Sequence, residues 1–196
     1  ILTNVTCILL FISLAFIQYR ASLRANFSAR IVLWLTIVQS GLVIGFFLVR
    51  RFSSANTWNP WHILIAYLGF FSPLFIRAEN HPHFRLMGLT LQFAGTFLTF
   101  YGSLSLGRSW GILPANRGIR TQGMYRYVRH PIYASYQIST LGILISNPSL
   151  YNLEVVCLFT LSQIMRLNIE EKILSADPVY LEYTSKVKWK ILPFVY

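Results

Sequence analysis

Acidic residues are scarce in this 196-residue chain. Six Asp and Glu stand against seventeen Lys and Arg, giving a formal net charge of +11. Charged residues amount to 12 % of the whole, against roughly a quarter in an ordinary soluble domain. A chain so poor in charge has too little polar surface to cover a soluble core of its size. Cysteine is also scarce. The two present, Cys7 and Cys157, fall inside apolar runs, and their spacing suggests neither a disulfide framework nor a metal site. Both read as small buried hydrophobes. No internal repeat or low-complexity tract is present. The first apolar run lacks a basic start and a small-residue cleavage site, so it reads as a membrane helix rather than a signal peptide.

What the chain has in quantity is apolar sequence, 55 % of residues. Six apolar runs stand out: Leu2 to Gln18, Ile31 to Val49, Trp61 to Ile76, Phe84 to Leu106, Ile132 to Ile145, and Leu150 to Met165. A membrane-crossing helix needs about 20 apolar residues. The expectation is therefore an all-α, polytopic transmembrane bundle of about six spans. It forms a single integral membrane domain over 1–196. The last two runs are joined by Ser146-Asn147-Pro148-Ser149, where Pro stops a helix and Asn favours a turn. Residues 131–169 thus read as a helical hairpin.

Basic residues support this count. Six spans gather Arg50, Arg51, Arg108, Arg117, Arg120, Arg126, Arg129, Arg166 and the C-terminal lysines on one side, leaving Arg20, Arg24, Arg30, Arg77 and Arg85 on the other. The richer side is expected to be cytoplasmic. A net positive charge also suits nucleic acid, but here the charges lie between apolar runs, which fits lipid headgroups or an anionic substrate better. Trp58, Trp61, Trp110 and Trp189 fall near run ends, as in an interfacial aromatic belt.

Polar chemistry concentrates in 107–130 and 166–190, which the hairpin brings to one face. Pro131 suits the first turn of a helix. His130 then sits at that helix N-terminus, where free N–H groups favour an anion such as a carboxylate. Tyr133 follows about one turn later, on nearly the same face. Arg166 and Glu170 are four apart on a second helix and face the same way. A carboxylate there can bind hydroxyls or an amino group and can favour a cation. Taken singly, Arg129-His130-Pro131 is also an ordinary helix start, and the Arg166, Glu170, Glu171 cluster a solvated helix end. His81-Pro82-His83, with no further ligand, reads as a loop with no metal, Arg77 and Glu79 as a connection, and Glu154 as a residue near the turn at 147–149.

Together these segments resemble the isoprenylcysteine carboxyl methyltransferase family and its relatives, the membrane phospholipid methyltransferases. The likeness covers about 104–196, which it implies is the catalytic and cofactor-binding region, with 1–103 as the transmembrane scaffold. It is carried by Leu106-Gly107-Arg108-Ser109-Trp110, by Gly-x-Tyr-x-x-x-Arg-His-Pro-x-Tyr at 123–133, by the hairpin, by Arg166-x-x-x-Glu170-Glu171, and by Tyr180-Leu181-Glu182-Tyr183 with Pro193 beyond. Departures occur at Ala134-Ser135, where relatives often carry Gly, and at Ser175-Ala176-Asp177-Pro178. The resemblance implies an integral, multi-pass enzyme of a bacterial inner membrane or the endoplasmic reticulum, its pocket facing the cytoplasm. It implies that His130, Tyr133, Glu170 and Glu171 contact S-adenosylmethionine, that Gly123 and Tyr125 shape the pocket, and that Arg129 and Arg166 lie near the substrate carboxylate.

The activity so implied is methyl transfer to a lipid-like substrate or prenylated C-terminus, foremost carboxyl O-methylation of an isoprenylcysteine-type substrate. A phospholipid amine N-methyltransferase is the alternative, and would need a base such as Glu170 or His130. A sterol-type membrane reductase using NADPH shares Arg-His-Pro-x-Tyr and a similar tail at 188–196. A non-enzymatic membrane subunit that kept the scaffold is a further reading.

Overall fold

The computed structural model describes residues 2–23, 27–49, 51, 53, 55–56, 59–77 and 85–193, with some side chains of the first two helices left out. Arg24, Arg50, Trp58, Glu79, His81-Pro82-His83 and the last three residues of the tail, all invoked above, lie outside this set, as does the Cys7 side chain. The described chain divides into two units, 1–50 and 51–196.

In the first unit α1 (Leu2–Ser22) packs on α2 (Phe27–Val49). Phe11 meets Phe47 with ring centroids 6.4 Å apart, and Tyr19 meets Trp34 edge-on at 6.1 Å. These pairings, early against late and late against early, set the two helices antiparallel.

The second unit holds α3 (Pro60–Phe71), α4 (Arg85–Leu106), α5 (Pro131–Ser146), α6 (Leu150–Leu174) and α7 (Pro178–Lys186). A two-residue antiparallel bridge joins β1 (Ala55–Asn56) to β2 (Ala115–Asn116). Helix starts are written locally. Asn59, Ser149 and Asp177 each cap a helix by accepting a backbone N–H, from Trp61, Asn152 and Val179 respectively, and Pro60, Pro131 and Pro178 occupy first-turn positions where no N–H is needed.

Each arm of the 131–169 hairpin packs chiefly on another helix, α5 on α4 and α6 on α3, more than on its twin. The α4–α5 contact is close because both faces are small. Gly88, Gln92, Gly95, Thr99, Gly102 and Ser103 form the buried stripe of α4. A Cβ on Gly142 of α5 would stand 2.6 Å from both the Gln92 amide nitrogen and the Gly88 carbonyl. Gln92 donates to Gly142 O at 3.3 Å and Ser146 Oγ at 3.2 Å, so the one long polar chain of the stripe is satisfied across the interface. Asn152, fully buried, locks the hairpin turn. It donates to Arg77 O and Asn147 O and accepts from Arg77 N, all at 2.8–2.9 Å.

The helical class and the positions of the six long helices match the sequence reading, but the transmembrane bundle does not. Among the described residues no helix is long and apolar enough to cross a membrane. The physical reason is visible helix by helix in the second unit. At 1.5 Å per residue, the 12 residues of α3 and 16 of α5 reach only about 18 and 24 Å, short of a hydrocarbon core of about 30 Å. Helices α4 and α6 are longer, at 22 and 25 residues. Their apolar positions, however, are interrupted by Thr90, Gln92, Thr96, Thr99 and Ser103 in α4 and by Asn152, Glu154, Gln163 and Arg166 in α6. Two smaller expectations also change. Cys157 is exposed rather than buried. Trp110, placed above in an interfacial belt, is 4 % exposed and forms part of a cavity wall.

Candidate active site

Three elements converge on one cavity in the second unit: the segment 106–136, the C-terminal half of α6, and α7. The converging segments are held by specific bonds. Backbone N–H groups of Arg129 and His130 donate to Trp189 O at 2.9 Å and Lys190 O at 2.8 Å, so the tail is tied to the Arg-His-Pro element. The Tyr183 hydroxyl donates to Tyr125 O at 2.5 Å. Asn116 Nδ2 donates to Asp177 Oδ2 at 2.7 Å, tying the 107–122 loop to the cap of α7. Tyr180, Tyr183 and Val187 of the α7 end bury against Leu174 and Ile119.

The cavity is small, about 80 Å³, and opens to solvent at its mouth. Its wall includes Trp110, Tyr125, Tyr133, Tyr136 and Phe70 as aromatic surface, with Arg117, Arg120, Arg129 and Arg166 against a single carboxylate, Glu170. Tyr133 donates to Glu170 Oε2 at 2.6 Å. Burial raises the Tyr133 phenol well above its ordinary value; the Arg166 charge opposes this and Glu170 adds to it. The phenol therefore stays protonated and donates at neutral pH. Arg166 is 7 % exposed. Its Nη2 donates to Gly111 O at 2.9 Å, its guanidinium lies 5.3 Å from the Tyr133 ring centroid, and its buried Nε has no partner. Burial disfavours its charge, but Tyr133, Glu170 and Tyr136 more than offset that and hold it cationic.

Glu171 faces a different set of partners. Oε2 takes Arg129 Nη1 at 2.6 Å, and Oε1 takes His130 Nε2 at 2.7 Å and the Tyr180 hydroxyl. Burial alone would raise its carboxyl. Hydrogen bonds from His130 and Tyr180 and the charges of His130 and Arg129 win, bringing it down to about 2. The same contact, after burial, pushes the Tyr180 phenol up.

Of the residues singled out from sequence, Tyr125, Arg129, His130, Tyr133, Arg166 and Glu170 line one cavity. Glu171 stands behind the wall and braces Arg129, His130 and Tyr180. Gly123 is outside the lining. Its φ of +63° opens the turn that delivers Tyr125, and a Cβ there would meet Ser105 Oγ at 2.5 Å. Arg166 and Glu170 share a face but do not pair with each other. Arg129 spends two donors on Glu171 and on Lys188 O at 3.1 Å. Sequence reasoning gave no site role to Trp110, Tyr180 and Tyr183, although the motifs behind the resemblance contain them, nor to Arg120 and Tyr136. The three tyrosines follow the i, i+3 spacing from Tyr133 to Tyr136 and from Tyr180 to Tyr183, a signal present in the chain. Nothing local marks Arg120.

Comparison with known proteins gives the site a context. Residues 83–177 match the family model described as phospholipid methyltransferase. The chain is similar to a phosphatidylethanolamine N-methyltransferase of Candida albicans (strain WO-1), 26 % identical over 136 residues, which is 67 % of this chain and 14 % of that protein. The chain thus spans about a seventh of the length of this relative. Every cavity residue on α5 and α6 falls inside the matched segment, and of the two relationships suggested by the motifs the phospholipid branch is the one that residues 83–177 are similar to.

Proposed function

We propose that this chain is an S-adenosylmethionine-dependent methyltransferase that acts on the amine of a phospholipid headgroup. The observation that carries it is the Tyr133–Glu170 pair beside the buried, half-satisfied Arg166 in one cavity. The family match favours the phospholipid amine over the isoprenylcysteine carboxyl, which the motifs alone had put first, and favours a methyltransferase over a reductase.

The donor set fits the cofactor. Glu170 can accept from ribose hydroxyls or an ammonium, and aromatic faces of Tyr125, Tyr133 and Tyr136 suit a cation. His130, at the helix start, and Trp110 complete the walls that would hold it. When bound, S-adenosylmethionine supplies a methyl group on an electron-poor sulfonium.

An amine must lose its proton before it can act as a nucleophile. Glu170 is the carboxylate in the cavity that can accept that proton, and Tyr133 holds it in place by one oxygen while the other stays available. Four surrounding arginines also disfavour a positive charge on the substrate nitrogen, which eases deprotonation. Buried aromatic walls keep water from competing for the methyl group. A lipid substrate brings the enzyme to a bilayer surface. The exposed apolar side chains Leu86, Leu150 and Trp61, 70–81 % accessible, support such contact.

Calorimetry of the purified chain with S-adenosylhomocysteine and with NADPH, followed by a methyl-transfer assay on phosphatidylethanolamine and on a prenylated cysteine, tests the proposal. Binding of the homocysteine product and transfer to the phospholipid are expected. Binding of NADPH instead, or transfer to prenylcysteine alone, overturns it.

A further inference from the structure

The cavity holds more cation than methyl transfer to an amine explains. S-adenosylmethionine is itself cationic at sulfur and at its amino group, and the substrate arrives as an ammonium. Arg129 is paired with Glu171, but Arg117, Arg120 and Arg166 still outnumber the Glu170 carboxylate in the wall, which is unfavourable unless an anion enters too. Arg166 is more than nine-tenths buried with an unpartnered Nε in the wall. Arg120 lines the same cavity; its Nε is likewise buried without a partner. Its place is fixed by the two residues before it. Ile119 packs into the Tyr180–Tyr183–Val187 cluster, and Gly118, at φ +95°, is fastened by its N–H to Asn116 Oδ1 at 2.9 Å.

We propose that Arg120 and Arg166 together clamp an oxyanion, the phosphodiester of the lipid headgroup, and that Arg120 is thereby a specificity-determining residue. This rests on the phospholipid amine reading. Two forked guanidiniums match the tetrahedral array of phosphate oxygens. In an ethanolamine headgroup the phosphate is separated from the nitrogen by two carbons. An arginine clamp can therefore hold the phosphate firmly without hydrogen-bonding the nucleophile, whereas for a carboxylate substrate the same clamp would bind the reacting oxygens and blunt them. The cofactor's own carboxylate is the other oxyanion that could seat there.

The test is calorimetry on the wild-type chain, R120Q, R120K and the control K186Q, titrated with glycerophosphoethanolamine, ethanolamine, S-adenosylhomocysteine, and methylthioadenosine, which lacks the carboxylate. R120Q is expected to weaken glycerophosphoethanolamine roughly tenfold or more, as loss of a charge-assisted bond does, with S-adenosylhomocysteine within about twofold. R120K is expected to recover part of the loss, and K186Q, a lysine exposed at 70 %, to match wild type. Unchanged glycerophosphoethanolamine binding in R120Q overturns the proposal. So does weakened S-adenosylhomocysteine with unchanged methylthioadenosine, which would assign Arg120 to the cofactor carboxylate. An equal loss in K186Q would mean long-range charge and also overturns it. Equal losses in R120Q and R120K with lowered melting temperatures would mean a folding effect, and the proposal would fall. A wild-type chain that binds glycerophosphoethanolamine through Arg120 but not S-adenosylhomocysteine would sink the methyltransferase reading and leave the phosphate clamp standing.

Discussion

The Tyr133 phenol donates a 2.6 Å hydrogen bond to Glu170 Oε2, joining the first turn of α5 to the last turns of α6. That bond fixes the carboxylate while leaving its second oxygen to the cavity. If Glu170 takes the substrate proton, E170Q keeps the shape and the Tyr133 contact but removes the base. Turnover of a phospholipid amine is then expected to fall roughly 10²- to 10⁴-fold. A rate assay with both substrate concentrations saturating checks it, and a loss confined to KM would count against the role as base.

Glu171 gives a pH signature to stability. Its carboxyl titrates near 2 in the folded protein against an ordinary 4.5. A depressed carboxyl contributes stability that is fully present above pH 4.5 and is lost as pH falls toward 2, because the unfolded chain takes up the proton first. Urea midpoints measured at about pH 5, 3.5 and 2.5 should therefore drop for the wild type more steeply than for E171Q, which lacks that titration. Parallel curves would remove Glu171 as the brace of Arg129, His130 and Tyr180.

Helix positions were legible because long apolar runs bounded by Pro, Asn and Ser have few other outcomes. Whether such a run crosses a membrane was not, because apolarity reports burial without saying what does the burying. Gly88, Gln92, Gly95 and Thr99 are spaced along one face, and in the structure that face meets α5. That His130, Tyr133, Arg166 and Glu170 meet at one cavity was legible because a hairpin forces the ends of its two arms together. The difference between Glu170 and Glu171 was not. Adjacent residues on a helix differ by about 100°, so one faces the cavity and the other Arg129. Arg120 was silent because it sits on a loop whose course depends on Asn116 reaching Asp177, 61 residues away.

Arg166 offers a test that separates substrate from cofactor. R166Q removes the charge and the unpartnered Nε from the cavity. A charge-assisted hydrogen bond contributes about 1.5–3 kcal/mol, so catalytic efficiency toward the lipid should fall roughly tenfold to a hundredfold, with S-adenosylhomocysteine affinity changed by less than about threefold. An equal loss in both would place Arg166 on the cofactor.

The α4–α5 contact should be the least forgiving packing in the second unit. At Gly142 an added Cβ would stand 2.6 Å from the Gln92 nitrogen and the Gly88 carbonyl and 2.8 Å from Leu91 Cβ. Two of these neighbours are backbone atoms in the middle of a helix and cannot rotate away. The helices must separate instead, which stretches the Gln92 bonds to Gly142 O and Ser146 Oγ. Overpacking of this kind costs about 1–3 kcal/mol, although Gly to Ala within a helix is otherwise worth up to about 1 kcal/mol in the stabilising direction. Gly41, on α2, has nothing within 4 Å of its Cβ position. The expected result is a lower melting temperature for G142A and an unchanged or higher one for G41A. Equal effects would mean that the two helices approach less closely than the contact between Gly88 and Gly142 requires.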